Sequence, residues 1–191
     1  MSKLNFTFDA SVEPWNKPFK QWLSDHEKTW DGIASSALVF DSDNRLLLVQ
    51  RAADDSMPNL WETPGGACDP EDPSILAGCA RELFEEAGLT AKHVVRNVTQ
   101  GEGGPEFYVF TNSKGNRFFV QFAFQVEADD AEEVKLDPVE HQAYIWATEE
   151  QIRKGRVEMD GGHTVFIPIT TDSVRRIIYE GFRLRKEDAK K

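Results

Sequence analysis

Positive charge is scarce in this chain: 22 lysines and arginines stand against 33 aspartates and glutamates, a formal net charge of −11 over 191 residues. A chain so negative argues against nonspecific binding to nucleic acid or to an anionic membrane, since both need a net positive face. Cysteine is scarcer still, with only Cys68 and Cys79. Two thiols make neither a disulfide framework nor a metal-binding quartet, so free thiols in a reducing compartment are expected. No apolar run approaches the ~20 residues that a membrane-spanning helix needs. The opening segment, "MSKLNFTFDASVEPWNKPFKQ", lacks a long apolar stretch followed by small residues, so no secretory signal is expected and the cytoplasm is the default location. Internal repeats and low-complexity linkers are lacking too. The remainder, 40% hydrophobic and 29% charged, has the balance of an ordinary globule, long enough for one domain with a real core.

Residues 1–31 read as an N-terminal extension packing on that domain. Within it "KPFKQWLSDHEKTW" suits a short amphipathic helix with Phe19, Trp22 and Leu23 facing a core, and Trp15, Trp22 and Trp30 read as packing anchors. "IASSALVF" and "RLLLVQ" read as strands joined by the polar turn "DSDN", and "NLWET" as a short strand halted at Pro64. "EFYVFT" and "RFFVQFAFQV", rich in aromatic and β-branched residues, flank "NSKGN" as a hairpin. "QAYIWA" is a further strand, and "TEEQIRKG" opens with the capping-box pair Thr148 and Gln151. A last helix is expected over roughly 172–181, with the domain spanning 32–182 and a charged, frayed tail over 183–191. Strands around one early helix, followed by late helices, make an α/β or α+β domain.

The early helix carries the chemistry. It is expected over about 73–87, capped by Asp72 and stopped at Gly88. Leu76, Cys79, Ala80, Leu83 and Ala87 form its core stripe, and Glu82, Glu85 and Glu86 a second stripe beside it. Like charges at three- and four-residue spacing repel by about 0.2–0.5 kcal/mol per pair. A solvated acidic face is the plain reading of such a stripe. The adjacent glycines in "PGG" just before the helix change it, because a backbone without Cβ atoms lets carbonyls and amides approach a ligand closely. A loop carbonyl plus several carboxylates is an all-oxygen site suited to Mg²⁺ or Mn²⁺.

"GGACDPEDPSILAGCARELFEEAGL" resembles the Nudix box, the signature of Nudix hydrolases. Its second half is matched at every fixed position, by Arg81, Glu82, Leu83, Glu85, Glu86, Gly88 and Leu89. The first half departs: counted from Gly66 the usual glutamate is Asp72, with eight residues rather than seven before Arg81, while Glu71 fits only from Gly65. One inserted loop residue reconciles both. "RLLLVQRA" before "WETPGG" is similar to the family's entry segment, and Glu140, six residues before Trp146, resembles its later catalytic or metal-binding glutamate. Together these cover about residues 32–152.

The resemblance implies an α/β/α sandwich with a mixed central sheet and a metal-dependent diphosphate hydrolase. Carried over, Glu82, Glu85 and Glu86 are metal ligands with the Gly65 carbonyl a fourth, and Mg²⁺ or Mn²⁺ is the cofactor. Glu140 is the preferred base, with Glu85 or Glu86 the alternatives, and Arg81 orients the glycine loop through Asp72 or Glu71. Arg51, at a strand end, is a phosphate contact or a surface arginine. Pro105, sixteen residues after Leu89, resembles the proline of some ADP-ribose-cleaving members, although "GGPEFY" lacks their usual order and suits an ordinary turn. Phe84, with Trp61, Phe107 and Phe119, offers a ring to stack on a base or prenyl chain, against a plain core role. The partner implied is a small diphosphate, a nucleoside diphosphate derivative such as ADP-ribose or a nucleotide sugar first. A prenyl diphosphate hydrolase and a non-catalytic nucleotide-binding module are the alternatives. The oligomeric state stays open, a homodimer being one option.

Overall fold

A computed structural model describes residues 5–112, 114–129, 133–159 and 161–190. Ser113 of the expected hairpin turn and the outermost residues of both terminal segments lie outside the described residues. In chain order, β1 (Thr7–Phe8), a 3-10 turn (Ala10–Trp15) and α1 (Phe19–Asp25) precede β2 (Gly32–Leu38) and β3 (Leu46–Arg51). The short strands β4 (Trp61–Glu62) and β5 (Gly65–Ala67) lead into α2 (Ile75–Ala87). β6 (Ala91–Asn97), β7 (Phe107–Thr111), β8 (Phe118–Ala128) and β9 (His141–Ala147) follow. After α3 (Glu149–Lys154), β10 (Arg156–Met159) pairs with β11 (His163–Phe166), and α4 (Asp172–Asp188) closes the fold.

β8 organises the main sheet. β2 runs parallel along one side of it, with Ala34 opposite Gln121. The other side is shared antiparallel by β7, beside residues 118–122, and β6, beside residues 124–128. β5 extends the sheet beyond β2, setting Ser36 opposite Gly65. A second sheet orders β4, β3 and β9. Alternation along the strands then makes two cores. Ile33 and Ala37 of β2 with Val120, Phe122 and Phe124 of β8 pack on α2, while Leu38, Leu46, Leu48 and Ala123 pack under Val174, Ile177, Ile178 and Phe182 of α4. Helices cover both faces of a mixed sheet, which is the expected α/β/α sandwich. Among the described residues no helix is long and apolar enough to cross a membrane.

Two local expectations are corrected. The cap of α2 is Ser74, whose hydroxyl accepts the Ala77 N–H, because Asp72 is drawn to Arg81 instead. α4 runs on through the expected tail to Asp188, since Arg183 pairs with Glu180 and Glu187 and Arg185 lies over the Phe40 ring. β6 and the β10–β11 hairpin were not legible as strands. Cys68 and Cys79 are free and buried, and burial pushes the Cys68 thiol up to about 12, so it is no reactive thiolate.

The N-terminal extension is part of the core. Trp15 meets Phe122 and Phe124 edge-on at 5.6 and 5.7 Å, and Trp22 meets Phe122 at 5.0 Å. Trp15→Ala is therefore expected to cost about 3–5 kcal/mol. Trp15→Phe should cost clearly less, because the indole Nε1 it deletes is buried with no partner. Urea denaturation midpoints of the two variants check this; a near-neutral Trp15→Ala would show that the extension does not support the fold.

Candidate active site

The site is assembled where the glycine segment, the C-terminal half of α2 and the start of β9 meet. Arg81 ties the first two together. Its Nε and Nη2 donate to the two oxygens of Asp72 at 3.1 and 3.0 Å, and Nη2 also donates to the Ala67 carbonyl at 2.9 Å. Nη1 donates to Glu82 at 2.9 Å and Glu85 at 2.7 Å. Burial works against the guanidinium charge, but these carboxylates outweigh it and raise the Arg81 pKa. Asp72, not Glu71, thus fills the loop-supporting position despite the extra loop residue. Part of the repulsion along the glutamate stripe is relieved by Arg81, four residues from Glu85 on the same helix face.

Glu86 stands apart from the other two. It is only 4% exposed, and its Oε2 accepts the Gly65 N–H at 2.6 Å. That approach requires the diglycine: a Cβ on Gly65 would lie 2.2 Å from the Ser35 carbonyl oxygen, and one on Gly66 would lie 2.6 Å from Glu82 Oε2. Burial pushes the Glu86 carboxyl up to about 9, with the Gly65 N–H opposing and Glu82, Glu140 and Glu62 adding to the rise. Burial likewise raises Glu82, against the pull of Arg81.

β9 supplies the rest. It pairs antiparallel with β3, and a bulge at Gln50–Arg51 sets His141 opposite Arg51. Among the described residues Glu86, Glu140 and His141 form the one group of acid and imidazole side chains whose ligand atoms lie within 4.8 Å of one another. His141 is 3% exposed and its Nδ1 is buried without a hydrogen-bond partner. Two converging carboxylates beside an orphaned imidazole nitrogen fit a divalent cation. Glu140 stands close enough to serve as a ligand or to take a proton from water beside one.

The other expected residues are placed as follows. Gly65 lines a cavity of about 570 Å³ together with Gly66, Ala67, Glu62 and Arg51. Its amide faces Glu86. Arg51 lies in the cavity wall, but its guanidinium is engaged with Glu62, Asp55 and Ser56. Phe84 is 53% exposed on α2, and Pro105 sits in a turn where its carbonyl accepts the Gln100 N–H; neither lines this cavity. The aromatic lining comes from Tyr108, Phe110 and Phe119, with Thr170, Thr171 and Val174 at the start of α4. The Tyr108 hydroxyl donates to Gln121 Oε1 at 2.7 Å, which fixes the Gln121 amide in the wall. His141 and Glu62 went unread. For His141 a signal existed: alternation along "HQAYIWA" puts it on the inward side with Ala143, Ile145 and Ala147. Glu62 becomes a site residue only through the pairing of β4 with β3.

Comparison with known proteins bears on the same region. The NUDIX domain family model matches residues 31–167. The chain is similar to the CTP pyrophosphohydrolase of Escherichia coli K12, 32% identical over 117 residues that make up 60% of this chain and 75% of that protein. Among solved structures it resembles the MutT protein of Methanosarcina mazei Go1, with a TM-score of 0.55 and 23% identity over 81% of this chain and 94% of that one. It also resembles the NUDIX domain of Shewanella oneidensis NrtR complexed with ADP ribose, with a TM-score of 0.58 and 16% identity over 86% and 97% of the two chains. These structural likenesses speak to the fold.

Three measurements test the site. Because Glu86 is raised to about 9 in the fold, its contribution to stability is fully present below the ordinary carboxylate value and is lost as pH rises through about 9. In metal-free protein, Glu86→Gln should gain on wild type by about 1.4 kcal/mol per pH unit across that window. A cation must displace that proton, so the melting-temperature rise on adding Mg²⁺ should be larger at pH 8.5 than at pH 6.5, and Glu86→Gln should blunt it. A pH-independent difference between the two proteins would contradict the burial argument. Arg81→Lys, which keeps the charge but not the fork, should lower unfolding stability by about 2–3 kcal/mol in a urea titration. An unchanged midpoint would mean that the fork does not hold the loop.

Proposed function

The chain belongs to the Nudix hydrolase family, and we propose that it hydrolyses a diphosphate linkage in a nucleoside diphosphate derivative, with Mg²⁺ or Mn²⁺ as cofactor. The observation that carries this reading is the convergence of Glu86 and Glu140 beside the Gly65–Gly66 end of β5, which borders an aromatic-lined cavity. A divalent cation held by Glu86, with Glu82 and Glu85 able to swing over from Arg81, would neutralise diphosphate charge and acidify the attacking water. The cavity matches the remainder of such a substrate. Tyr108, Phe110 and Phe119 offer ring faces to a base, and the clamped Gln121 presents its amide N–H groups.

Among the carboxylates, Glu140 is the proton acceptor. Glu85 is tied to Arg81 or drawn to the cation, and Glu86, buried on the Gly65 N–H, would be spent on the cation. The Glu140 carboxylate makes no hydrogen bond or ion pair among the described residues and is exposed, so its oxygens are free and within reach of water. Water forms a bond to one phosphorus as the bridging P–O bond breaks, Glu140 takes the water proton, and two phosphorylated halves leave. Arg81 holds the glycine loop over the reacting centre.

Two substrates come first. ADP-ribose follows from the box and the proline reading, although Pro105 does not line the cavity. CTP is favoured by the likeness to the Escherichia coli CTP pyrophosphohydrolase. A panel with both, nucleotide sugars, other nucleoside triphosphates and prenyl diphosphates, read by mass spectrometry with Mg²⁺ present, separates these readings. Turnover of prenyl diphosphates alone would move the substrate class, and turnover of none would favour a binding module. Glu140→Gln at saturating Mg²⁺ should lose about a hundredfold or more in kcat with KM largely kept, because the proton moves only on the way to the transition state. Full activity in that variant would falsify the assignment of the base.

A further inference from the structure

We propose that the His141 imidazole is a nitrogen ligand of the site's divalent cation, which makes the metal set mixed nitrogen and oxygen rather than all oxygen. The inference rests on the metal-dependent reading above and adds which atom completes the set and which ions it favours. His141 begins β9 on the strand's inward side, in phase with Ala143, Ile145 and Ala147, and a ring nitrogen lies within 4.8 Å of carboxylate oxygens of both Glu86 and Glu140. Its burial is nearly complete, yet Nδ1 has no partner. A histidine kept merely for packing would bond that nitrogen or expose it, since a buried, unpaired nitrogen is costly; a coordinate bond removes the cost.

The second ring nitrogen points the same way. Nε2 faces Glu62 Oε1 at 3.9 Å, and Glu62 is itself pinned by Arg51. That distance exceeds a direct hydrogen bond, so Glu62 acts through its charge, favouring the tautomer with the proton on Nε2 and the lone pair on Nδ1. Arg51, Glu62 and His141 thus form a chain of side chains ending at the metal position. This gives Arg51 a positioning role in place of the phosphate contact suggested by its place in the sequence, and explains why its donors are spent on Glu62, Asp55 and Ser56.

A nitrogen donor changes ion preference. Mg²⁺ favours oxygen, whereas Mn²⁺, Co²⁺ and Zn²⁺ accept imidazole readily. His141→Asn should therefore weaken Mn²⁺ binding by roughly tenfold or more while weakening Mg²⁺ binding much less.

The decisive measurement is pulsed electron paramagnetic resonance of Mn²⁺ bound to the full chain, with no substrate. Wild type is expected to show ¹⁴N modulation that changes to the ¹⁵N pattern when only histidine is labelled, and His141→Asn to lose it. Mn²⁺ bound by wild type without nitrogen modulation would overturn the inference and leave the oxygen-ligand reading standing. Modulation that survives in His141→Asn would also overturn it, by assigning the nitrogen to another histidine. Failure of wild type to bind Mn²⁺ or Mg²⁺ at all would instead remove the metal-dependent reading beneath it. The isotope result on wild type decides the matter even where the variant folds poorly.

Discussion

One guanidinium holds the loop and the helix of this site in register. Arg81 spans Asp72 and the Ala67 carbonyl on one side and Glu82 and Glu85 on the other. A planar fork with five donors can satisfy several oxygens at fixed angles, which a lysine cannot. Because Asp72 is consumed by this contact, the cap of α2 falls to Ser74 and the helix begins later. Because Glu82 and Glu85 lean toward the arginine, Glu86 is the stripe's buried member. The loop's extra residue is absorbed without loss of the contact, since Asp72 still reaches the fork.

The geometry behind Glu86 is a tension rather than a comfort. A carboxylate this buried, with other carboxylates near, is held in its neutral form by desolvation. The fold tolerates it because the Gly65 N–H donates to it, and because the diglycine brings that amide within reach. The same burial that makes Glu86 expensive when charged makes it a strong partner for a cation, since opposite charges attract most where water is excluded. His141 carries a similar unmet demand in its Nδ1. A buried carboxylate and an orphaned imidazole nitrogen brought together at one point mark where function has taken precedence over stability.

Much of this was legible from residue order alone. The core stripe of α2 falls where helical periodicity puts it, and Leu76, Leu83 and Ala87 are fully buried. The strands β7 and β8 follow aromatic and β-branched runs, β2, β3 and β9 follow short apolar runs, and the α3 box follows Thr148 and Gln151. β6 escaped because "AKHVVRN" alternates poorly, its ladder on β8 being broken by two register shifts. The extent of α4 escaped because its last turns carry few apolar residues and are held by ion pairs and by Arg185 over Phe40.

Spacing within one helix is a local property, so the sequence by itself determined the glutamate stripe, the arginine beside it, and the glycines that must precede them. Which carboxylates would meet was not local. Glu86 and Glu140 are far apart in the chain, and their encounter depends on β9 lying antiparallel on β3, with His141 on the inward side. Arg51 read as a free cation at a strand end, yet the pairing of β4 with β3 places Glu62 against it and spends its charge. Strand register and burial decide such matters, because a one-residue slip would send His141 to the opposite face and leave Glu86 without its companions.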